Sequence, residues 1–270
     1  MNLSISNIAW AKEEEQEIID TLKSFSVNGI EIAPTKVWDI PADYNMEEAL
    51  LYKNGWLKHG IEPVAMQSLL FGQKDLVLFQ DEKTRIRLKQ YLFKIIELAE
   101  VFGTTILVFG SPKNRYTGMI SKQEQMNIAV PFFHELGEKA VKHNVIFCME
   151  PNAKEYGCDF ITNTNEAIDL IKAIDHPGFK LHLDAAVMTM NNENYAQTIE
   201  TSMPYLAHFH VSEPFLNLIG SQETDHQSIA EALISNQYEK WISIEMKNGL
   251  MDSNKESVKR ALDFVTRIYK

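Results

Sequence analysis

The sequence predicts an α/β protein, a single (β/α)8 TIM barrel domain spanning residues 1–270. Three observations lead there. A short β-branched or apolar run followed by a polar turn and a helix-period segment recurs eight times, about 34 residues per unit. Strict alternation implies parallel strands joined by right-handed crossovers, and eight such strands close a barrel. The rival doubly wound sheet would want a Gly-rich phosphate turn after an early strand, and no G-x-G-x-x-G occurs.

In chain order the expected strands are Leu3–Ile8 (LSISNI), Gly29–Ile32 (GIEI), Glu62–Met66 (EPVAM), Thr104–Phe109 (TTILVF), Val145–Met149 (VIFCM), Phe179–Leu183 (FKLHL), Ala207–Val211 (AHFHV) and Trp241–Ile244 (WISI). Amphipathic segments separate them. The last is the clearest: Val258, Ala261, Leu262, Val265 and Ile268 keep helical spacing behind a Ser253-x-x-Glu256 capping box. A second box, Ser121-x-x-Glu124, opens the helix before strand five. No Pro/Gly/Ser-rich linker divides the chain.

Composition bounds the function. Hydrophobic residues make up 45%, enough for a sizeable core, and the formal net charge of −11 argues against partners that track phosphate backbones or anionic membranes. Cys148 and Cys158, ten residues apart, form no disulfide framework. The stretch MNLSISNIAWAKEEEQE lacks a basic n-region, and no run reaches membrane-spanning length, so a soluble, cytoplasmic protein is expected.

Barrel enzymes build their sites at the C-terminal ends of the strands. Those ends read CMEP (Glu150), LHLDAA (Asp184), HFHVSEP (His210) and SIEMK (Glu245), separated by 34, 26 and 35 residues. Four consecutive strands thus offer Glu, Asp, His and Glu at equivalent heights. Three converging carboxylates repel one another unless a cation lies between them. Oxygen-rich ligation with one imidazole suits Mn²⁺ first, with Mg²⁺, Co²⁺ and Zn²⁺ as alternatives. Taken singly, each residue has an ordinary explanation as a cap or a core histidine; the matching register of all four favours a metal site.

The set Glu150, Asp184, His210, Glu245 resembles that of the xylose-isomerase-like barrel superfamily, with spacing closest to its ketose 3-epimerase branch. SNIAW, GIEIAPTKVW, LVFGSPKNR, YGCDF and HFHVSEP also resemble sugar phosphate isomerase/epimerase-type barrels. The resemblance implies a metal-dependent isomerase or epimerase in which Glu150 and Glu245 are both ligands and the acid–base pair. The chemistry is consistent with that: moving a proton beside a carbonyl needs a base on one face and an acid on the other, and a chelating metal stabilises the enediolate. Where the epimerases carry a His three residues after the strand-six Asp and an Arg six after the strand-seven His, this chain has Val187 and Leu216.

Substrate contacts are expected from the rim. His182 and His208 alternate with Asp184 and His210 and point inward one layer deeper, with Glu31 a candidate partner. Glu213, just past the rim, is a candidate for facing substrate. Lys36, Lys113, Asn114, Arg115 and Lys247 also follow strand ends, and the four cations among them, on an acidic chain, suggest an anionic sugar such as a sugar phosphate. Gln67, Asn7, Trp10 and Trp38 are candidate pocket residues, core packing being as good a reading for the tryptophans. No Ser or Cys lies in a nucleophile elbow. The expected partner is a small carbohydrate, with self-association into a homo-oligomer open. The rival functions are a dehydratase of a keto-cyclitol or keto-acid, an abasic-site endonuclease (disfavoured by the acidic surface and by the absence of His on strands one to three) and a non-catalytic barrel.

Overall fold

The computed structural model describes residues 1–269. Eight parallel strands, β1 (Asn2–Ser6), β2 (Gly29–Ile32), β3 (Glu62–Met66), β4 (Ile106–Phe109), β5 (Ile146–Met149), β6 (Phe179–Asp184), β7 (Leu206–Ser212) and β8 (Trp241–Glu245), close in sequence order into a barrel. Closure comes from β1 against β8, with Asn2 opposite Trp241 and Ile5 opposite Ile244.

Around the barrel lie α1 (Glu15–Ser24), α2 (Met46–Leu57), α3 (Glu82–Phe102), α4 (Lys122–Lys142), α5 (Thr164–Ile174), α6 (Ala185–Met190), α7 (Tyr195–Ser202), α8 (His226–Ser235) and α9 (Asn254–Ile268). The Ser121 capping box is present, and Ser253 accepts from Glu256 N at the start of α9. Val258, Ala261, Leu262 and Val265 of α9 are buried, and burying each Val or Leu stabilises the fold by about 1.5–3 kcal/mol. No helix among the described residues is long and apolar enough to cross a membrane.

Several strand limits differ from the sequence expectation, two of them for clear local reasons. The first strand stops at Ser6 because Asn7–Ala9 turns into a 3-10 helix, where Asn7 Oδ1 accepts from Ala33 N at 2.8 Å. Thr104 lies just past the C-cap of α3 and is tied to it: its N–H donates to Ala99 O, and its hydroxyl donates to Pro63 O. At β6, β7 and β8 the ladder runs one residue further than expected, so Asp184, Ser212 and Glu245 are paired strand residues with fixed direction. Register does the rest. His182 lies opposite His208, Asp184 opposite His210, and Ser212 opposite Glu245.

Candidate metal centre

Inward-pointing residues of β5–β8 converge. One donor atom from each of Glu150, Asp184, His210 and Glu245 falls within a sphere where all lie no more than 4.8 Å apart. His210 is 1% exposed and is the centre of the group. Its Nε2–H donates to the Glu31 carboxylate at 2.9 Å, so Nδ1 is the nitrogen left facing the other carboxylates and the one that can give up its proton to a cation. Nδ1 lies 3.4 Å from Glu245 Oε2, 3.8 Å from Glu150 Oε1 and 3.9 Å from Asp184 Oδ2, and takes no hydrogen bond. A buried ring nitrogen facing three carboxylates at such distances fits a divalent cation between them, its proton being released as the cation binds.

The electrostatics agree. Burial pushes Glu150 up to about 8, reinforced by repulsion from Glu245 and Asp184 and opposed by His210 and Arg115. Burial, followed by Glu245, pushes Asp184 up to about 6. Beneath them, burial alone would raise Glu31, but the imidazoles of His210 and His208 outweigh it and hold the carboxyl at about 2. Burial acts to lower His210, yet the charges of Glu31 and Glu245 leave it well above the ordinary imidazole value. A cation at Nδ1 would relieve the first two carboxylates and fix His210 neutral.

Supporting contacts orient the donors. Asp184 Oδ1 accepts from Val187 N at 2.8 Å while Oδ2 accepts from Ser212 Oγ at 2.6 Å. Gly110 leaves room for Glu150: a Cβ there would stand 2.0 Å from Glu150 Oε2. Asn152 Oδ1 accepts from Arg115 Nη2 at 2.9 Å, close behind the same carboxylate.

A cavity of about 290 Å³ opens over the donors, lined by Glu150, Asp184 and Glu245 and by residues of several βα loops. The loop after β7 is strained above it: Phe215 (φ 61°) and Leu216 (φ 56°) are consecutive non-glycine residues in the left-handed region, at about 1–2 kcal/mol each. Four hydrogen bonds hold them there. Phe215 N donates to Tyr156 Oη at 2.9 Å, Leu216 N to Glu213 O, Lys247 N to Leu216 O and Asn217 Nδ2 to Pro214 O. Ser68 and Ser111, which also line the cavity, have φ of 53° and 45°. Strain held by surrounding bonds on a site rim is the pattern of a functional constraint.

Of the other candidates, Gln67 lines the cavity, donating to Ser6 Oγ and accepting from Ser68 Oγ. Glu213 lines it too, but its carboxylate is turned to the fold. Oε1 accepts from Gly220 N and His226 Nε2, and His226 Nδ1 pairs with Tyr269 Oη at 2.8 Å. Glu213 Oε2 is buried.

His182 and His208 are fully buried below the donors and line no part of the cavity; His208 bonds Ser243 Oγ and lies 3.3 Å from Glu31. Glu31 therefore partners His208 and His210, whereas both His182 ring nitrogens are without a hydrogen-bond partner. Asn114 donates to Gln73 O and Leu76 O, tying down the loop after β3. Asn7 and Trp10 are buried in the fold, and Trp38 stacks on Phe102.

The expected grip on an anion is not built. Lys36 Nζ donates to Trp10 O at 2.9 Å, Lys247 is exposed, and the fully buried Arg115 reaches Met149 Sδ and Asn152. Among the described residues no lysine or arginine lines the cavity. Each expected cation has found a backbone carbonyl, solvent or a buried partner instead. Tyr156, Asn152 and Ser212 were not among the sequence candidates. For Ser212 a signal exists, since it continues the inward alternation of His208 and His210; Tyr156 sits in a loop without periodicity.

The model of the xylose isomerase-like TIM barrel family matches residues 19–268. The chain belongs to that family. A D-psicose 3-epimerase of Ruminiclostridium cellulolyticum is 28% identical over 118 residues, a match spanning 44% of this chain and 40% of that enzyme. The crystal structure of D-psicose 3-epimerase with D-tagatose from Clostridium cellulolyticum H10 superposes with a TM-score of 0.82 over 100% of both chains at 18% identity. That of 3-keto-D-glucoside 4-epimerase from E. coli gives 0.81 over 99% of both chains, also at 18%. At these identities the superpositions establish the shared barrel fold.

Proposed function

We propose that this family member is a divalent-metal-dependent sugar isomerase or epimerase acting on an uncharged sugar. Glu150, Asp184, His210 and Glu245 hold the ion, Mn²⁺ in the first place and Mg²⁺, Co²⁺ or Zn²⁺ otherwise. The observation that carries the reading is His210 Nδ1, left as the ligating nitrogen by the Nε2–Glu31 bond, facing three carboxylate oxygens at 3.4–3.9 Å. When bound, the ion polarises a carbonyl and its neighbouring hydroxyl. Glu150 and Glu245 form the acid–base pair: one withdraws the proton from the carbon beside the carbonyl, and the other returns a proton to the opposite face or to the neighbouring oxygen. The epimerases among the similar proteins, one matched with a ketose bound, support this class of reaction.

An uncharged substrate follows from the lining. Three donor carboxylates against one divalent ion leave a net charge of −1, and no cation on the cavity wall would offset a phosphate. The test is incubation of the Mn²⁺-loaded protein in D₂O with neutral ketoses, followed by NMR. Deuterium should enter at one carbon beside the carbonyl. Full activity after exhaustive EDTA dialysis would sink the metal reading, and turnover confined to phosphosugars would sink the uncharged one.

A further inference from the structure

The cavity has a wall that the acid–base chemistry does not use. Tyr156, Val187 and Leu216 line it from the loop after β5, from α6 and from the loop after β7. Val187 follows Asp184 by one helical turn and is tied to it through its backbone N–H. Leu216 is set on the cavity by the strained turn, while its neighbour Phe215 points outward, 54% exposed, edge-on to the Tyr156 ring at 5.5 Å. Tyr156 Oη accepts from Phe215 N, so the hydroxyl retains its own proton for an acceptor in the cavity. Burial keeps that phenol protonated at any working pH.

Two aliphatic side chains and one phenol donor make poor partners for a chain carrying a hydroxyl on every carbon. Each hydroxyl laid against Val187 or Leu216 would lose water and gain no hydrogen bond. They are good partners for C–H groups. Building on the proposed reaction, we infer that Tyr156, Val187 and Leu216 form a specificity subsite for a C–H-rich part of a neutral sugar, with Tyr156 donating to a single oxygen at its edge. Two sources offer that chemistry: the face of a sugar held as a ring, or a carbon that has lost its hydroxyl. The strained turn at Phe215 and Leu216, fastened to both the β5 loop and the segment after β8, is what holds the wall in place.

The experiment uses four probes on the Mn²⁺-loaded protein: D-psicose, D-psicose 6-phosphate, a 6-deoxyketohexose and a methyl 3-ketoglucopyranoside. Saturation-transfer NMR reads binding without turnover, and KM and kcat are measured for whichever probes react. The deoxyketose or the locked ring should bind best, with saturation strongest on its C–H protons; which of the two wins identifies the source. Leu216→Ala should raise KM for that probe about tenfold with kcat nearly unchanged, because an apolar contact is lost while the reacting end stays in place. Tyr156→Phe should cost about the same or somewhat more, in KM. Leu216→Arg should shift preference toward the 6-phosphate. Mn²⁺ affinity by calorimetry should be the same in all three variants.

Tighter wild-type binding of D-psicose or its 6-phosphate than of both C–H-rich probes would overturn the subsite. So would an unchanged KM in Leu216→Ala, or no binding of any probe to the metal-loaded protein. Saturation on the C–H protons, lost in Leu216→Ala, without proton exchange in D₂O would leave the subsite standing and discard the reaction instead.

Discussion

His210 and Glu31 are joined by a 2.9 Å hydrogen bond across the barrel interior, and that bond decides which imidazole nitrogen faces the carboxylates of β5, β6 and β8. Glu31→Gln keeps the shape but can satisfy Nε2 as either donor or acceptor, so the tautomer is no longer held. Mn²⁺ affinity should fall roughly 10–100-fold, the usual penalty for losing such an outer partner. Titration calorimetry checks it; an unchanged Kd would mean that Glu31 has no part in setting the ligand.

Glu150→Gln and Glu245→Gln should each fold, yet lose about 10²–10⁴-fold or more in kcat as one half of the proton-transfer pair disappears. Circular dichroism and steady-state rates at saturating Mn²⁺ measure both. A variant with wild-type turnover is not the acid or the base.

Gly110→Ala tests the seat of Glu150 without touching a charge. The new methyl would meet Glu150 Oε2 at 2.0 Å, and the carboxylate must swing away. A misplacement of this size typically costs about 10²-fold in rate. The melting temperature should change little, since the cavity beside the site can receive the displaced carboxylate. A rate close to wild type would show that Glu150 tolerates another position.

The carboxylates set a pH dependence with a definite sign. Glu150 is raised from 4.5 to about 8 and Asp184 from 3.8 to about 6 in the metal-free fold. Raised folded values stabilise the metal-free protein fully below the unfolded values and less and less as pH climbs through 6 and then 8. Binding Mn²⁺ displaces those protons and the one on His210 Nδ1, which Glu31 and Glu245 hold well above the ordinary imidazole range, so apparent affinity should rise over the same window and go on rising until His210 is neutral. The melting-temperature gap between Mn²⁺-loaded and EDTA-treated protein should therefore be wider at pH 8.5 than at pH 5.5. A constant gap would contradict the carboxylate repulsion.

Glu213→Ala should destabilise the fold by about 1–3 kcal/mol for each of the two donors it leaves without a partner, the buried His226 and the part-buried Gly220 N. Tyr269→Phe, which removes only the hydroxyl on the far side of His226, should cost less, about 1–3 kcal/mol. Urea unfolding of the two variants ranks them; equal, small losses would show that the network is dispensable.

What could be read in the sequence was whatever depends on period and position. β-branched runs located all eight strands, and the strand ends named the four convergent donors because parallel register in a closed barrel puts equivalent positions at one height. What could not be read depends on long side chains choosing among distant partners. Lys36 sits on the right loop, but its ammonium reaches Trp10 O, 26 residues back. Arg115 is a βα-loop arginine by position, and only packing shows its guanidinium buried behind Glu150. Glu213 looked free because its partner, His226, is itself selected by Tyr269 on the far side of the chain.

Barrel closure between Asn2 and Trp241 also has a consequence for synthesis. On a ribosome, β1 emerges first and waits with one edge open until more than two hundred further residues have followed. A lone parallel strand edge is a template for pairing with other chains. The interval is long at ordinary translation speeds, tens of seconds at about 5–20 residues per second. Nascent chains halted before β8 should accumulate on chaperones that cover sheet edges, and the rim loops can reach their working geometry only after that last strand has docked.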